Sequence, residues 1–311
     1  MSDQLLRAQS MLTARDHVLL GWLADHGVLT TPQVAYALFP SLDFAQRRLR
    51  RLHDVGVIDR FRPLRTDGGS YPYHWVLDQL GAELVAVDRD QPPPRPSQTK
   101  ARRRRWTVAR ILDHRLGVNQ FFTDLAGHAR THPDHQLRRW WPEARCADLG
   151  VFANADSHVA LQVSPAPVHP DGHGIWTAGN RQVPFFLEYD TGTEPLTELV
   201  RKLDDYHQMA RWGGPQWPVL LWLHSAERAH HLHQRLAEQT LFAPVVTASR
   251  DHAARAAIGP AGPLWQLHGH HGLLTLADLA DALPFLQHPD HGPDAFGHPF
   301  APRRKAGPPQ G

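Results

Sequence analysis

A single cysteine, Cys146, in 311 residues leaves no route to an intramolecular disulfide or to a zinc site built on several thiolates. Stability has to come from packing. Although 41% of the residues are hydrophobic, no stretch approaches the roughly 20 uninterrupted apolar residues of a membrane-spanning helix. The N-terminus, MSDQLLRAQSMLTARDH, places acidic and polar residues where a secretory signal would carry a basic start and an apolar run. These absences point to a cytoplasmic protein with no membrane partner. Walker, Rossmann and GxSxG patterns are missing as well, which removes nucleotide hydrolysis and serine chemistry. No internal repeat is present, and the length suits two domains, each able to bury a core of its own.

The formal net charge of +2 conceals a polarity. Residues 1–110 carry 17 Lys and Arg against 11 Asp and Glu, net +6, leaving 16 against 20, net −4, for the remainder. Such a distribution steers only the front half toward a polyphosphate. Nucleic acid is therefore to be sought there.

Within that half, TARDHVLLGWLADHG (13–27) has a capping threonine, an early acid, helical apolar spacing and a closing glycine. TTPQVAYALF follows, with Thr31 as a cap and Pro32 in the first turn of a short second helix that Pro40 stops. Ser41 to Val55 predicts a third helix ended by Gly56, and GVIDRFRPL and YPYHWVL, parted by the turn-forming RTDGGS, predict a hairpin. Three helices and a hairpin in this order make a winged helix-turn-helix. With a further short helix over 78–87, this domain occupies residues 1–88.

The third helix carries the chemistry. Leu42, Ala45, Leu49, Leu52 and Gly56 form one stripe, Arg47 and Arg51 lie nearly opposite, Arg48 and Arg50 flank them, and Gln46 stands beside them. A cationic face of this kind fits the major groove of double-stranded DNA, where guanidinium groups pair with guanine edges or grip phosphates. The wing would add Arg60, Arg62 and Arg65. A solvated arginine face is the duller alternative, but acidic partners three or four residues away are scarce between Gln46 and Leu52. Residues 89–105 lose periodicity and read as a basic linker, whose KARRRR (100–105) is either a phosphate clamp or a floppy tether.

Residues 106–286 read as an α/β domain. A helix over 106–130 is followed by strand candidates DLGVFA, HVALQV, GIWTA, QVPFFLEYD, WPVLLWLH and APVVTAS, with helices at 193–212 and 225–240. The tail, 287–311, crowded with Pro, Gly and His, has a disordered composition. The period of two in QVPFFLEYD puts Phe186, Glu188 and Asp190 on one face. Asp171, just ahead of the partner strand, can approach them and complete a hard oxygen site for Mg²⁺ or Mn²⁺, the requirement of metal-assisted phosphodiester hydrolysis. Lys202, on the following helix, either leans back to these acids or snorkels to solvent, and Asp190 can equally just precede a Thr-Gly turn. Glu188 is harder to dismiss, because an unpaired carboxylate in an apolar strand costs several kcal/mol.

The winged helix together with LDHRLGVNQFF, WWPEAR, HPDGHG, FFLEYDTGTEPL and KLDDYHQMA resembles the replication-relaxation family of actinobacterial plasmids and integrated elements, over most of residues 10–225. The resemblance implies a second domain of the PD-(D/E)xK nuclease fold, α+β overall. Asp171 would be its first acid, Glu188 its second and Glu143 an acid from the preceding segment. The lysine that the pattern expects two residues after Glu188 is Asp190, so Lys202 would have to supply it from the neighbouring helix. A role in plasmid replication or mobilisation follows, either as a metal-dependent nuclease or nickase or as a non-catalytic regulator or relaxosome accessory protein. Other replication or mobilisation proteins and a homodimer suit such a module as partners.

Histidine is abundant, with clusters AHHLHQ (229–234) and LHGHHG (267–272), but lacks the HExxH spacing of a metal site. Surface histidine is the simpler account. His114 and Asn119 read as a packed pair as well as they read as functional residues, and the ten tryptophans read as core rather than as a base-stacking platform.

Overall fold

The computed structural model describes residues 3–63, 68–237, 241 and 243–286. They fall into two compact units, one ending at Val108 and the other beginning at Ala109. Arg65 and the tail 287–311 lie outside the described residues.

The first unit runs α1 (Asp3–Met11), α2 (Ala14–His26), β1 (Leu29–Thr30), α3 (Thr31–Leu38), α4 (Leu42–Val55), β2 (Ile58–Phe61), β3 (His74–Leu77), α5 (Gln79–Asp88) and α6 (Pro96–Arg104). Local chemistry sets most boundaries. The Asp16 carboxylate accepts both the backbone N–H and the hydroxyl of Thr13, starting α2. Thr30, rather than Thr31, caps α3 in a reciprocal pair with Gln33. Ser41 caps α4 through the Phe44 N–H, and Gly56, at φ 83°, ends that helix in the left-handed conformation that favours glycine. The strands form an antiparallel sheet ordered β1-β3-β2, with Arg60 opposite Trp75.

Three features of this unit were not in the sequence expectation. Asp3–Met11 is helical, β1 adds a third strand, and residues 96–104 form a helix instead of an irregular tether. Thr99 of α6 is buried, and the Arg103 guanidinium binds Asp59 and Asp78. These anchors, contributed by residues far away in sequence, hold a helix that no apolar stripe announces. Leu42 is 49% exposed, so the buried stripe of α4 begins at Ala45 and continues through Leu49 and Leu52.

The second unit contains α7 (Ala109–Thr131), β4 (His135–Pro142), α8 (Glu143–Cys146), α9 (Val159–Val163), β5 (Gly172–Ala178), β6 (Arg181–Tyr189), α10 (Leu196–Arg211), β7 (Val219–Leu223), α11 (Ala226–Leu236), β8 (Val245–Ser249), α12 (Arg250–Ala256), β9 (Gln266–Leu267) and α13 (Leu279–Ala282). Its six strands lie in the order β4-β5-β6-β7-β8-β9. β4, β5 and β6 are antiparallel, β6, β7 and β8 are parallel, and β9 returns antiparallel. Parallel neighbours need crossovers, which α10 and α11 supply. The chain is thus α+β with a mixed sheet.

The period of two in β6 holds. Phe185 packs against Phe121 and Phe122 of α7, while Phe186 packs against Tyr206 of α10, so opposite faces of the strand meet different helices. Two expected strands fail. Residues 148–153 are turns, and Val159–Val163 is a short helix in which only Leu161 is buried while Val159 and Val163 face solvent. An unexpected strand, β4, takes the edge beside β5. Among the described residues no helix is long and apolar enough to cross a membrane.

Candidate nucleic-acid interface and acidic cluster

Packing orients α4. With Ala45, Leu49 and Leu52 buried, Gln46, Arg47, Arg50 and Arg51 face solvent. Arg47 makes an ion pair with Asp43 at 3.0 Å, one turn earlier, in which both side chains are mostly exposed. Such a pair contributes little and yields readily to a stronger anion. Arg50 donates to the Gln46 carbonyl at 3.4 Å. Arg48 does not belong to this face. Its Nε donates to the buried Asp16 carboxylate at 3.0 Å, and its Nη2 reaches the Met11 carbonyl at 3.0 Å. Burial alone would raise the Asp16 pKa, but hydrogen bonds from Arg48 and Thr13 outweigh it and hold the carboxyl below its ordinary value. Arg48 is a fastener between α4 and α2, and this corrects its assignment to the DNA-facing set.

The hairpin presents a second group. The Arg60 guanidinium lies 4.1 Å from the Tyr73 ring centre and Arg62 lies 3.7 Å from it, with Arg62 also donating to Ser70 at 3.3 Å. Cation–π contacts hold the two charges in place while leaving their hydrogen-bonding edges available. Tyr71, at the same end of the hairpin, is also exposed.

In the second unit, Gly172 pairs with Leu187, so Asp171 stands across from Glu188. Asp171 Oδ2 accepts the Tyr189 backbone N–H at 2.8 Å and lies 3.2 Å from His114 Nε2 on α7. Glu188 is fully enclosed. Lys202 Nζ donates to its Oε2 at 3.1 Å, and the Tyr206 hydroxyl donates to its Oε1 at 2.7 Å. Asp171, Glu188 and Lys202 therefore do come together, and Lys202 leans back to the strand.

Burial, seconded by the nearby Asp171 charge, pushes the Glu188 pKa up. Lys202 is raised because Glu188 and Asp171 together outweigh its own burial. The two shifts agree on the sharing of protons: the lysine remains the cation, and Glu188 is the group that takes up a proton. Burial would lower His114, but the hydrogen bond and charge of Asp171 raise it.

Asp190 and Glu143 are paired with other cations. Asp190 lies just past the end of β6, where Arg228 grips it bidentately at 2.6 and 2.8 Å. The Asp190 carboxylate is thus taken by Arg228 and not by the Lys202 and Tyr206 that hold Glu188. Glu143 opens α8 and turns its carboxylate to Arg115 at 3.0 Å.

Mg²⁺ or Mn²⁺ on Asp171 and Glu188 can be tested against these contacts. Both Glu188 oxygens are engaged, one with a cation, and Asp171 Oδ2 is shared between an N–H and His114. Among the described residues no group of three or more His, Cys, Asp or Glu side chains is placed to hold a metal ion. Mg²⁺ keeps several waters and is held through one or two carboxylates, whose oxygens have to be open to it. As arranged, the residues do not fit such an ion.

Reasoning from sequence missed the roles of Asp16, His114 and Tyr206. Tyr206 had a usable signal, since a tyrosine in a buried stripe needs a partner for its hydroxyl. The two histidine clusters meet as a pair: His233 Nδ1 lies 3.1 Å from His268 Nδ1, with the rings stacked.

No curated protein and no solved structure matches the chain. Residues 20–220, which include α4, the hairpin, Asp171, Glu188 and Lys202, match the family described as replication-relaxation. That span covers most of the chain, which therefore belongs to the replication-relaxation family.

Proposed function

We propose that this replication-relaxation protein works by binding double-stranded DNA through its first unit, a winged helix, during replication or mobilisation of a plasmid-like element. In this reading α4 enters the major groove and the β2–β3 hairpin is the wing. One observation carries it: Gln46, Arg47, Arg50 and Arg51 all face solvent on α4, opposite the buried Ala45, Leu49 and Leu52. A helix with an apolar back and a guanidinium front suits a polyanionic groove. Retardation of a duplex by the full chain in a gel, followed over a salt series, checks the reading. Binding should weaken steeply with salt, because phosphate contacts release counterions. No retardation at any salt concentration rejects it.

The second unit is read as a PD-(D/E)xK-like scaffold that does not cut. What supports this reading is that the charges of Asp171, Glu188 and Lys202, the residues that the resemblance would make catalytic, satisfy one another and His114. Supercoiled plasmid incubated with the protein and Mn²⁺ should stay supercoiled. Nicking that EDTA abolishes and that Glu188→Ala removes would overturn this and establish a nuclease. The cluster instead contributes to the shape of a unit available for contacts with other replication or mobilisation proteins or with a second copy of the chain.

A further inference from the structure

We infer that α6 is a second phosphate-gripping element, holding the backbone of the same duplex that α4 reads; this rests on the DNA-binding reading above. The segment is the basic run KARRRR, which the recognition helix and wing leave unused. It forms a helix with a defined inner side. Thr99 is buried, and Arg103, one turn on, reaches inward to two carboxylates, Asp78 at 2.8 Å and Asp59. Both anchors are themselves fixed. Asp78 accepts the Gln79 N–H at the start of α5, and Asp59 precedes the wing residue Arg60 on β2.

Asp59 also lies 3.6 Å from His53 Nε2 in the last turn of α4. One carboxylate thus ties α6 to the C-terminal end of the recognition helix and to the root of the wing. With Thr99 and Arg103 turned inward, Lys100, Arg102 and Arg105 are left exposed. The helix sequence PSQTKARRR contains no acid to neutralise them. A basic residue or two near a helix C-terminus complements the helix dipole, but that accounts neither for the length of the run nor for its anchoring beside α4. A rigid cationic helix flanking a groove-inserted helix has the chemistry to grip phosphate oxygens without reading bases.

The test uses the full chain, one duplex and a salt series. Lys100→Ala with Arg102→Ala and Arg105→Ala should leave binding detectable at low salt. The slope of log affinity against log salt should become shallower by about 2 to 3, as expected for three lost phosphate contacts at roughly 0.9 each. Lys100→Arg with Arg102→Lys and Arg105→Lys should restore it. In the unmutated protein, adding duplex should protect Lys100 from acetylation, a readout that needs no variant to fold. An unchanged slope, with Lys100 equally reactive with and without duplex, overturns the role of α6. If Arg47→Ala with Arg51→Ala still abolishes retardation in that case, the DNA-binding reading survives alone. Failure of the unmutated protein to retard duplex removes both.

Discussion

Replacing Arg47 and Arg51 together by alanine should weaken duplex binding by roughly 30- to 25,000-fold, from about 1–3 kcal/mol per guanidinium contact to a base edge. Both side chains are exposed, and Arg47 surrenders an exposed pair with Asp43 and a contact with the exposed Phe44 ring, so the fold should tolerate the change. Arg48→Ala makes the instructive contrast. It removes the partner of a buried carboxylate, Asp16, and should destabilise the first unit by about 3 kcal/mol while leaving the affinity of the folded fraction nearly unchanged. Gel retardation and denaturant unfolding of the same variants separate the two effects. Equal losses of affinity for Arg48→Ala and for the double variant, at equal folded fraction, would show that the exposed face has been misassigned.

Lys202→Ala should destabilise the second unit by roughly 2–3 kcal/mol at pH 8, since it leaves Glu188 enclosed with only the Tyr206 hydroxyl for support. The effect should shrink at pH 5.5. Burial raises the Glu188 pKa from its ordinary 4.5 to about 7, so the folded chain binds a proton that the unfolded chain has released. This group's contribution is therefore fully present at low pH and is lost as pH rises through the folded value. Without Lys202 the carboxyl should hold its proton more tightly still, and a neutral acid needs no counter-charge. Glu188→Gln should flatten the pH dependence. Urea unfolding at pH 5.5, 7 and 8.5 measures all three proteins. A cost for Lys202→Ala that does not vary with pH would mean that Glu188 is not the group responding.

Much of this was legible because the signals were local. Caps and breakers around α2, α3 and α4 depend on residues a few positions apart, such as Ser41 with Phe44 and the left-handed Gly56, and they set boundaries close to those expected. The hairpin and the alternation along β6 were visible for the same reason. Lys202 was a choice between two orientations, and Glu188 was read both as a metal ligand and as a carboxylate in need of compensation. The errors arose where the deciding partner lay far along the chain. Arg48 looks like its neighbours until Asp16, 32 residues earlier, is brought beside it. Asp190 looks like a continuation of β6 until Arg228, 38 residues later, captures it.

What the amino-acid order settled alone was the set of elements with a short-range code: three capped helices, a hairpin, a basic front half and a strand bearing one acid that needed a partner. Which charges remain outside and which are consumed inside was decided only when the chain folded. An arginine has the same charge on either side of a helix, and long-range packing alone determines whether a carboxylate waits there. The tertiary structure therefore removed Arg48 from the exposed set, made the basic run of α6 a fixed helix, and closed Asp171, Glu188, Lys202 and His114 upon one another.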